Sequence, residues 1–473
     1  MRAAQRVALG VALGVGWVVR LHEFILSRSL SWYEAALVTN ILHKPIAGLL
    51  GPLDNHEAAP FGYLLISRAA VTLFGDGERA LRLVPLVCGL ASLPLLYVVA
   101  KRYLTPWLAT ACVAMCAIEP AQTLWANTVK SYATDLLVAL LVLWLADWLT
   151  STAVAMCGIA AIGAAAPWFS LPACFVLAGI WLAAALDVIR ARQFHRLARL
   201  TIVAAVWGIS FAVCYQLSLR PAEADPYLRD LWADYFLSVR DLQHDRWLLA
   251  LVFVDPLNIV RTSAWPAVPI VVGGCVALWK MPARRGAEIA LTLACAAAAS
   301  CAGFYPWVDR MLIFATPFLL VVLVGGADQI GRFVARSRPI VSTLVTAAIV
   351  AAMAAPSVKW IWAPIDRWDE TRPLIAHIRD HWRPGDRLYI AEYEAVYLYY
   401  RDRFGLGAIP YVTGPYYDDE QGSYDCASTP RLLGAARVWV LTDRLDVRAC
   451  LAALGTPVLA AKAEDASLYL YGR

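Results

Sequence analysis

Five short stretches of this chain carry acids and bases suited to work on a phosphate ester. Glu34 stands in "SWYEAALVTN" (31–40), and "LDNHEAAPFGYLL" (53–65) supplies Asp54, His56 and Glu57. Arg79 and Arg82 lie in "FGDGERALRLVPL" (74–86), Lys130, Tyr132 and Asp135 in "KSYATD" (130–135), and Asp309 and Arg310 close "YPWVDR" (305–310). A carboxylate can take a proton from a hydroxyl, while guanidinium and ammonium groups can hold a departing phosphate. Each residue also has a plainer reading. Glu34 opens an amphipathic run and could cap that helix or simply be solvated. Lys130 could snorkel from a helix end with Asp135 as its structural partner, and Arg310 could anchor an interface beside Tyr305 and Trp307. Arg82 could pair with Glu34 or another loop acid, and His56 reads first as a polar loop residue.

What must position these groups is a membrane-embedded scaffold. The chain has 473 residues, 60% of them hydrophobic and only 16% charged. With a mean hydropathy of +0.58, it holds too little polar surface to wrap one soluble core of this size. The first apolar run meets Arg20, His22 and Glu23 rather than a small-residue cleavage site, which predicts an uncleaved first helix. Apolar segments of spanning or near-spanning length fall at 7–27, 83–100, 107–119, 133–149, 153–167, 171–189, 201–217, 264–280, 287–304, 310–327 and 340–356, which predicts about eleven helices. The segments "KRYLTP" (101–106), "RARQFHRLAR" (190–199), "KMPARR" (280–285) and "GRFVARSRP" (331–339) are short and basic. With Arg2 and Arg6 they all fall on one side of such a topology, which places the N-terminus in the cytoplasm.

The opposite side receives loops at 28–82 and 218–263, turns at 120–132, 168–170 and 305–309, and the tail from 357. Residues 1–356 read as the membrane module and 357–473 as a small α/β domain outside it. That domain is expected to run helix, Pro-Gly-Asp turn, strand, helix, with later strands at "RVWVLTD" (437–443) and "SLYLYG" (467–472). The net charge of +5 sits in inter-helix segments, which argues for topology and against a nucleic-acid partner. Most cysteines read as small buried hydrophobes, with Cys426 and Cys450 open to a disulfide in an oxidising compartment. No CxxC or HxxxH spacing marks a metal site.

The acid after the first helix, the "APxGYLL"-like segment, "FGxxExALRLxPLxxGLxSLPLLY", and the segments "LWANTVKSYATDLLVALL" (124–141), "APWFSLPACFVLAG" (166–179) and "GFYPWVDRMLIFATPFLLVV" (303–322) together resemble the GT-C class of integral-membrane glycosyltransferases. The likeness is to family 39, with its protein mannosyltransferase and aminoarabinose transferase-like bacterial members. The resemblance implies a GT-C fold that moves a sugar, with inversion and without a cofactor, from a polyprenyl-phosphate donor to a lipid, glycan or protein acceptor. It implies a bacterial inner (plasma) membrane, with the C-terminal domain in the periplasm. By the same analogy Glu34 is the general base, with Asp54 and Glu57 as alternatives. Lys130, Arg310 and Arg82 would bind the donor phosphate, and Tyr132, Asp135, Asn40 and His56 would make other substrate contacts. In this class a loop such as 218–263 often covers the donor; an amphipathic helix on the membrane explains it equally well. The tyrosines at 393, 397, 399 and 400 could stack on sugars, with core packing the stronger reading.

One departure matters. Relatives often carry an Asp-Glu pair where this chain has Tyr33-Glu34, so Glu34 could be only a supporting group. A polyprenyl-glycan transporter, or a family member that binds glycolipid without chemistry, is the competing expectation. Against a transporter stand the lack of a convincing internal repeat and the few charges in helix centres.

Overall fold

The computed structural model of the chain describes residues 3–238, 240–241, 244, 267–336, 338–361, 370–391, 393–414, 417–418, 423–424, 429–432, 434–442, 450–464 and 466–472. They form two compact units. The first comprises Met1–Ile25, Pro45–Gly75 and Arg79–Ile365, and the second Leu26–Lys44, Asp76–Glu78 and Asp366–Arg473.

The first unit is helical. The described parts of the eleven apolar stretches are mainly helical, and seven of the described helices are long and apolar enough to cross a membrane: Ala3–Leu26, Glu78–Ala100, Tyr132–Thr150, Ala173–Arg190, Phe194–Glu223, Asp309–Ala335 and Pro339–Ile361. Pro106–Ile118, Ala153–Phe169 and Val268–Lys280 are apolar but shorter. Asp309–Ala335 is the central element, 89% buried across its apolar window, and packs on Ala267–Lys280 and Pro339–Val358. Small residues permit this approach: a Cβ at Gly326 would lie 2.0 Å from the Ile270 carbonyl oxygen, so backbone meets backbone.

The expected loop at 28–82 is mostly helix instead. It contains Trp32–His43, a 3-10 turn at Ile46–Leu50, and the helix Phe61–Phe74. This last element starts after Pro60, whose ring precludes an earlier helical turn, and ends at Gly75 with φ +87, a left-handed C-cap. Its approach to Ala153–Phe169 is close, since a Cβ at Gly62 would lie 2.7 Å from the Trp168 carbonyl oxygen. Pro120 breaks the chain similarly. Glu119 before it is extended at φ −68, ψ 120, as a residue preceding proline tends to be. A short helix, Pro120–Trp125, and a tight turn then lead to Tyr132–Leu145.

The second unit is an α/β domain joined by an early segment. Its described strands are β1 (Arg387–Ile390), β2 (Tyr411–Thr413), β3 (Tyr417–Asp418), β4 (Ser423–Tyr424), β5 (Arg437–Thr442), β6 (Val458–Ala463) and β7 (Ala466–Gly472). The main sheet runs β2-β1-β5-β7-β6, parallel between β2, β1 and β5 and antiparallel thereafter. The helix, Pro-Gly-Asp turn, strand, helix order holds, through Arg372–His381, β1 and Glu394–Arg403. Asp386 in that turn is 4% exposed and accepts bonds from Arg437, from the Trp439 indole at 2.9 Å and from the Arg383 amide at 2.9 Å. Burial pushes its carboxyl upward, and these donors together hold it below the usual range.

Trp32–His43 packs on Glu394–Arg403, and its Ala35, Ala36, Leu37, Val38 and Ile41 are buried. Around them the Tyr400 hydroxyl accepts from the Leu30 amide and donates to Glu78, both at 3.0 Å, while Arg372 pairs with Glu78 at 2.9 Å and Ser29 donates to Glu370 at 2.8 Å. Tyr393, Tyr397, Tyr399 and Tyr400 are all buried, in keeping with core packing. Cys450 is disulfide-bonded; Cys426 lies outside the described residues.

Candidate active site

In the first unit, three of the expected residues come together. Asn55 and His56 both have positive φ, 60 and 53, a conformation that side chains other than Asn, Asp and His strongly resist. This sharp turn precedes Glu57. The Glu57 carboxylate meets the Lys130 ammonium with Oε1 at 2.7 Å and Oε2 at 2.6 Å. Lys130 lies in the turn between Pro120–Trp125 and Tyr132–Leu145, its backbone N–H donating to the Thr128 carbonyl at 2.7 Å. The side chains of the pair are only 13% and 10% exposed, so most of the water that would screen it is gone. Burial pushes the Glu57 carboxyl up, while Lys130 and then Arg310 draw it back down.

Arg310 is the second cation. It begins the 3-10 turn Asp309–Ala315, its backbone N–H donates to Asp309 Oδ1 at 2.6 Å, and its guanidinium stacks over Trp232 at 4.9 Å from the ring centre. Cation–π contact fixes the plane of the guanidinium while leaving its N–H donors for other partners. Tyr132 stands edge-on to Trp125 at 4.7 Å and is an electrostatic neighbour of Arg310 and Glu57. Asp135 is buried in the first turn of the same helix, with the Ser131 hydroxyl at 3.5 Å.

A strap completes the arrangement. His56 Nδ1 lies 2.7 Å from Asp225 Oδ2, which holds the Asp225 carboxyl below its usual range. Its ring packs on Tyr227 at 4.6 Å. Asp225 caps the short helix Pro226–Trp232 by accepting from the Tyr227 amide at 3.0 Å. Beyond Trp232, the Tyr235 carbonyl accepts from the Trp307 amide at 2.6 Å, and the Leu237 amide donates to Ser300 Oγ at 3.0 Å. The 225–237 segment is thus tied at one end to the Glu57 loop and at the other to the Arg310 turn. The rest of the 218–263 loop, from 245 on, lies outside the described residues.

The remaining expected residues sit elsewhere. Asp54 is exposed in the same loop, and Arg82 is 3% exposed in Glu78–Ala100. Glu34 and Asn40 belong to the second unit. Glu34 is 3% exposed, and its Oε2 accepts from the Ser31 amide at 3.1 Å and the Ser31 hydroxyl at 3.2 Å, which is the chemistry of a helix cap. Asn40 is fully buried and donates to the Ala36 carbonyl at 3.0 Å. Trp232, Asp225 and Tyr227 were not among the expected site residues. Their signal was the Asp225-Pro226 pair, a helix start, in a loop dense with charge and aromatics.

Residues 58–169 match the family model of dolichyl-phosphate-mannose-protein mannosyltransferases. The matched stretch starts directly after Glu57 and includes Lys130, Tyr132 and Asp135. No curated protein matches by sequence. Among solved structures, ArnT from Cupriavidus metallidurans bound to undecaprenyl phosphate aligns at TM-score 0.58 and 14% identity, covering 98% of this chain and 97% of that one. The apo form of ArnT aligns at 0.55 and 15% with the same coverage. Archaeal oligosaccharyltransferase AglB from Archaeoglobus fulgidus, in complex with an inhibitory peptide and a dolichol-phosphate, aligns at 0.55 and 11% over 93% of this chain and 69% of that one.

Proposed function

We propose that this chain, which has the GT-C fold of integral-membrane glycosyltransferases, moves a sugar from a polyprenyl-phosphate donor to an acceptor hydroxyl with inversion at the anomeric carbon. The carrying observation is the Glu57–Lys130 pair with Arg310 beside it, in and around the segment that matches the mannosyltransferase model. The ArnT structure with undecaprenyl phosphate and the AglB structure with dolichol-phosphate support a lipid-phosphate donor. The basic inter-helix segments support a reaction on the face opposite the cytoplasm, and the reading takes the membrane to be a bacterial inner membrane.

In this mechanism the acceptor oxygen attacks the anomeric carbon from the side opposite the phosphate. The bond from that carbon to the phosphate oxygen breaks, its electron pair leaves with the polyprenyl phosphate, and Glu57 takes the hydroxyl proton. Lys130 and Arg310 neutralise the charge that grows on the phosphate. Donors placed where charge develops stabilise the transition state more than the ground state. His56, Asp225 and Trp232 hold the loop and the arginine in place.

Sugar transfer from a radiolabelled polyprenyl-phosphate sugar pool to membrane acceptors tests the reading. Lys130→Gln and Arg310→Gln should each lower transfer by about 10²-fold at matched expression. Wild-type membranes that bind the donor but transfer nothing would sink the enzymatic reading in favour of a glycolipid-binding protein.

A further inference from the structure

We infer that donor binding works by exchange: the phosphate takes Lys130 away from Glu57, and the carboxylate so released becomes the base. The inference rests on the donor-phosphate reading above and adds to it an order of events and an inhibited resting state.

Both oxygens of Glu57 lie within 2.7 Å of the Lys130 ammonium, so the carboxylate occupies the face of the cation that an anionic ligand would need. A phosphodiester brings one negative charge on two free oxygens, the same charge and nearly the same donor demand as a carboxylate. The two anions therefore compete for one cation in a poorly hydrated site, where displacing a partner without replacing it is costly.

What tips the competition is Arg310. Among the described residues its guanidinium makes no side-chain hydrogen bond, and Trp232 holds it by its face. A phosphate can be shared between Lys130 and Arg310, whereas Glu57 hydrogen-bonds only Lys130 of the two. After exchange Glu57 has lost its bonded cation and faces a new anion. Both changes make its carboxylate more basic at the step that needs a proton acceptor. In the transfer the acceptor O–H proton passes to Glu57, the new bond forms between acceptor oxygen and anomeric carbon, and the old bond to the phosphate oxygen breaks. When the polyprenyl phosphate departs, Glu57 gives its proton to water and closes again on Lys130. Without donor, the base stays neutralised.

The test uses the detergent-purified full chain and farnesyl methyl phosphate, a diester that stays a monoanion through the neutral range. Binding is measured for wild type, Glu57→Gln, Lys130→Gln and the double variant. Exchange predicts that Glu57→Gln binds the diester about tenfold more tightly, and that this gain disappears when Lys130 is also replaced. A gain that survives without Lys130, or no gain at all, overturns the exchange while leaving a wild type that binds diester consistent with the proposed function. Failure of wild type and Glu57→Gln alike to bind overturns both. A second measurement avoids the variants: labelling of wild-type Glu57 by a water-soluble carbodiimide, read by mass spectrometry, should rise several-fold when the diester saturates. Unchanged labelling refutes the release.

Discussion

Glu34 and Glu57 differ in what donates to their carboxylates. Glu34 is bonded by the amide and hydroxyl of Ser31, three residues back on the same chain, whereas Glu57 is bonded by an ammonium 73 residues away. A glutamine can accept the same local cap bonds. Glu34→Gln should therefore keep transfer within about threefold of wild type and cost under about 1 kcal/mol in stability, while Glu57→Gln should lose transfer by about 10²-fold. A Glu34→Gln protein that binds donor yet transfers nothing would put the base back at Glu34. The residue types were legible in the sequence because a charged group beside an apolar helix stands out. Their pairing was not, since nothing local says that Glu57 meets Lys130. Trp232 was illegible for a related reason: an aromatic near the interface has many uses, and only the position of Arg310 gives this one meaning.

Among the elements, apolar helices are legible from hydropathy, and the helices of the first loop are not. The described parts of the apolar stretches are mainly helical, whereas the 14-residue helix Phe61–Phe74 reads as loop by length, being well under the roughly 20 residues a span requires. β6 was missed too, because "VLAAKA" lacks the β-branched density of "RVWVLT". The strap at 225–237 carries the element-scale prediction. Its hold on Arg310 is the Trp232 face, and such a contact contributes about 1 kcal/mol when partly desolvated. Trp232→Ala should weaken donor binding by about fivefold and leave kcat nearly unchanged, with Trp232→Phe between the two, because Arg310 remains present but loses its fixed plane. Steady-state kinetics over a range of donor concentrations separate these; a fall in kcat with constant KM would show that Trp232 acts in the chemical step instead.

The chain as a whole is divided where hydropathy alone would not divide it. A boundary at 356 separates apolar from polar sequence, but the second unit also takes in Leu26–Lys44 and Asp76–Glu78. Hydropathy cannot see this, because Trp32–His43 is amphipathic and its apolar side would suit a bilayer as well as a protein partner. In the structure that side is covered: Leu37 and Ile41 are fully buried and Val38 nearly so, against the helix Glu394–Arg403. The C-terminal domain is accordingly incomplete without the early segment. A fragment of residues 366–473 should expose the apolar side of Glu394–Arg403 and leave Glu370 without Ser29, and should melt broadly or associate. The same fragment joined to residues 26–44 by a flexible linker should melt cooperatively and higher, by at least about 5 °C, since each kcal/mol recovered shifts a domain of this size by about 4–8 °C. Calorimetry of the two fragments decides the matter: equal melting would mean that Trp32–His43 only rests on the domain, and that the polar tail folds alone.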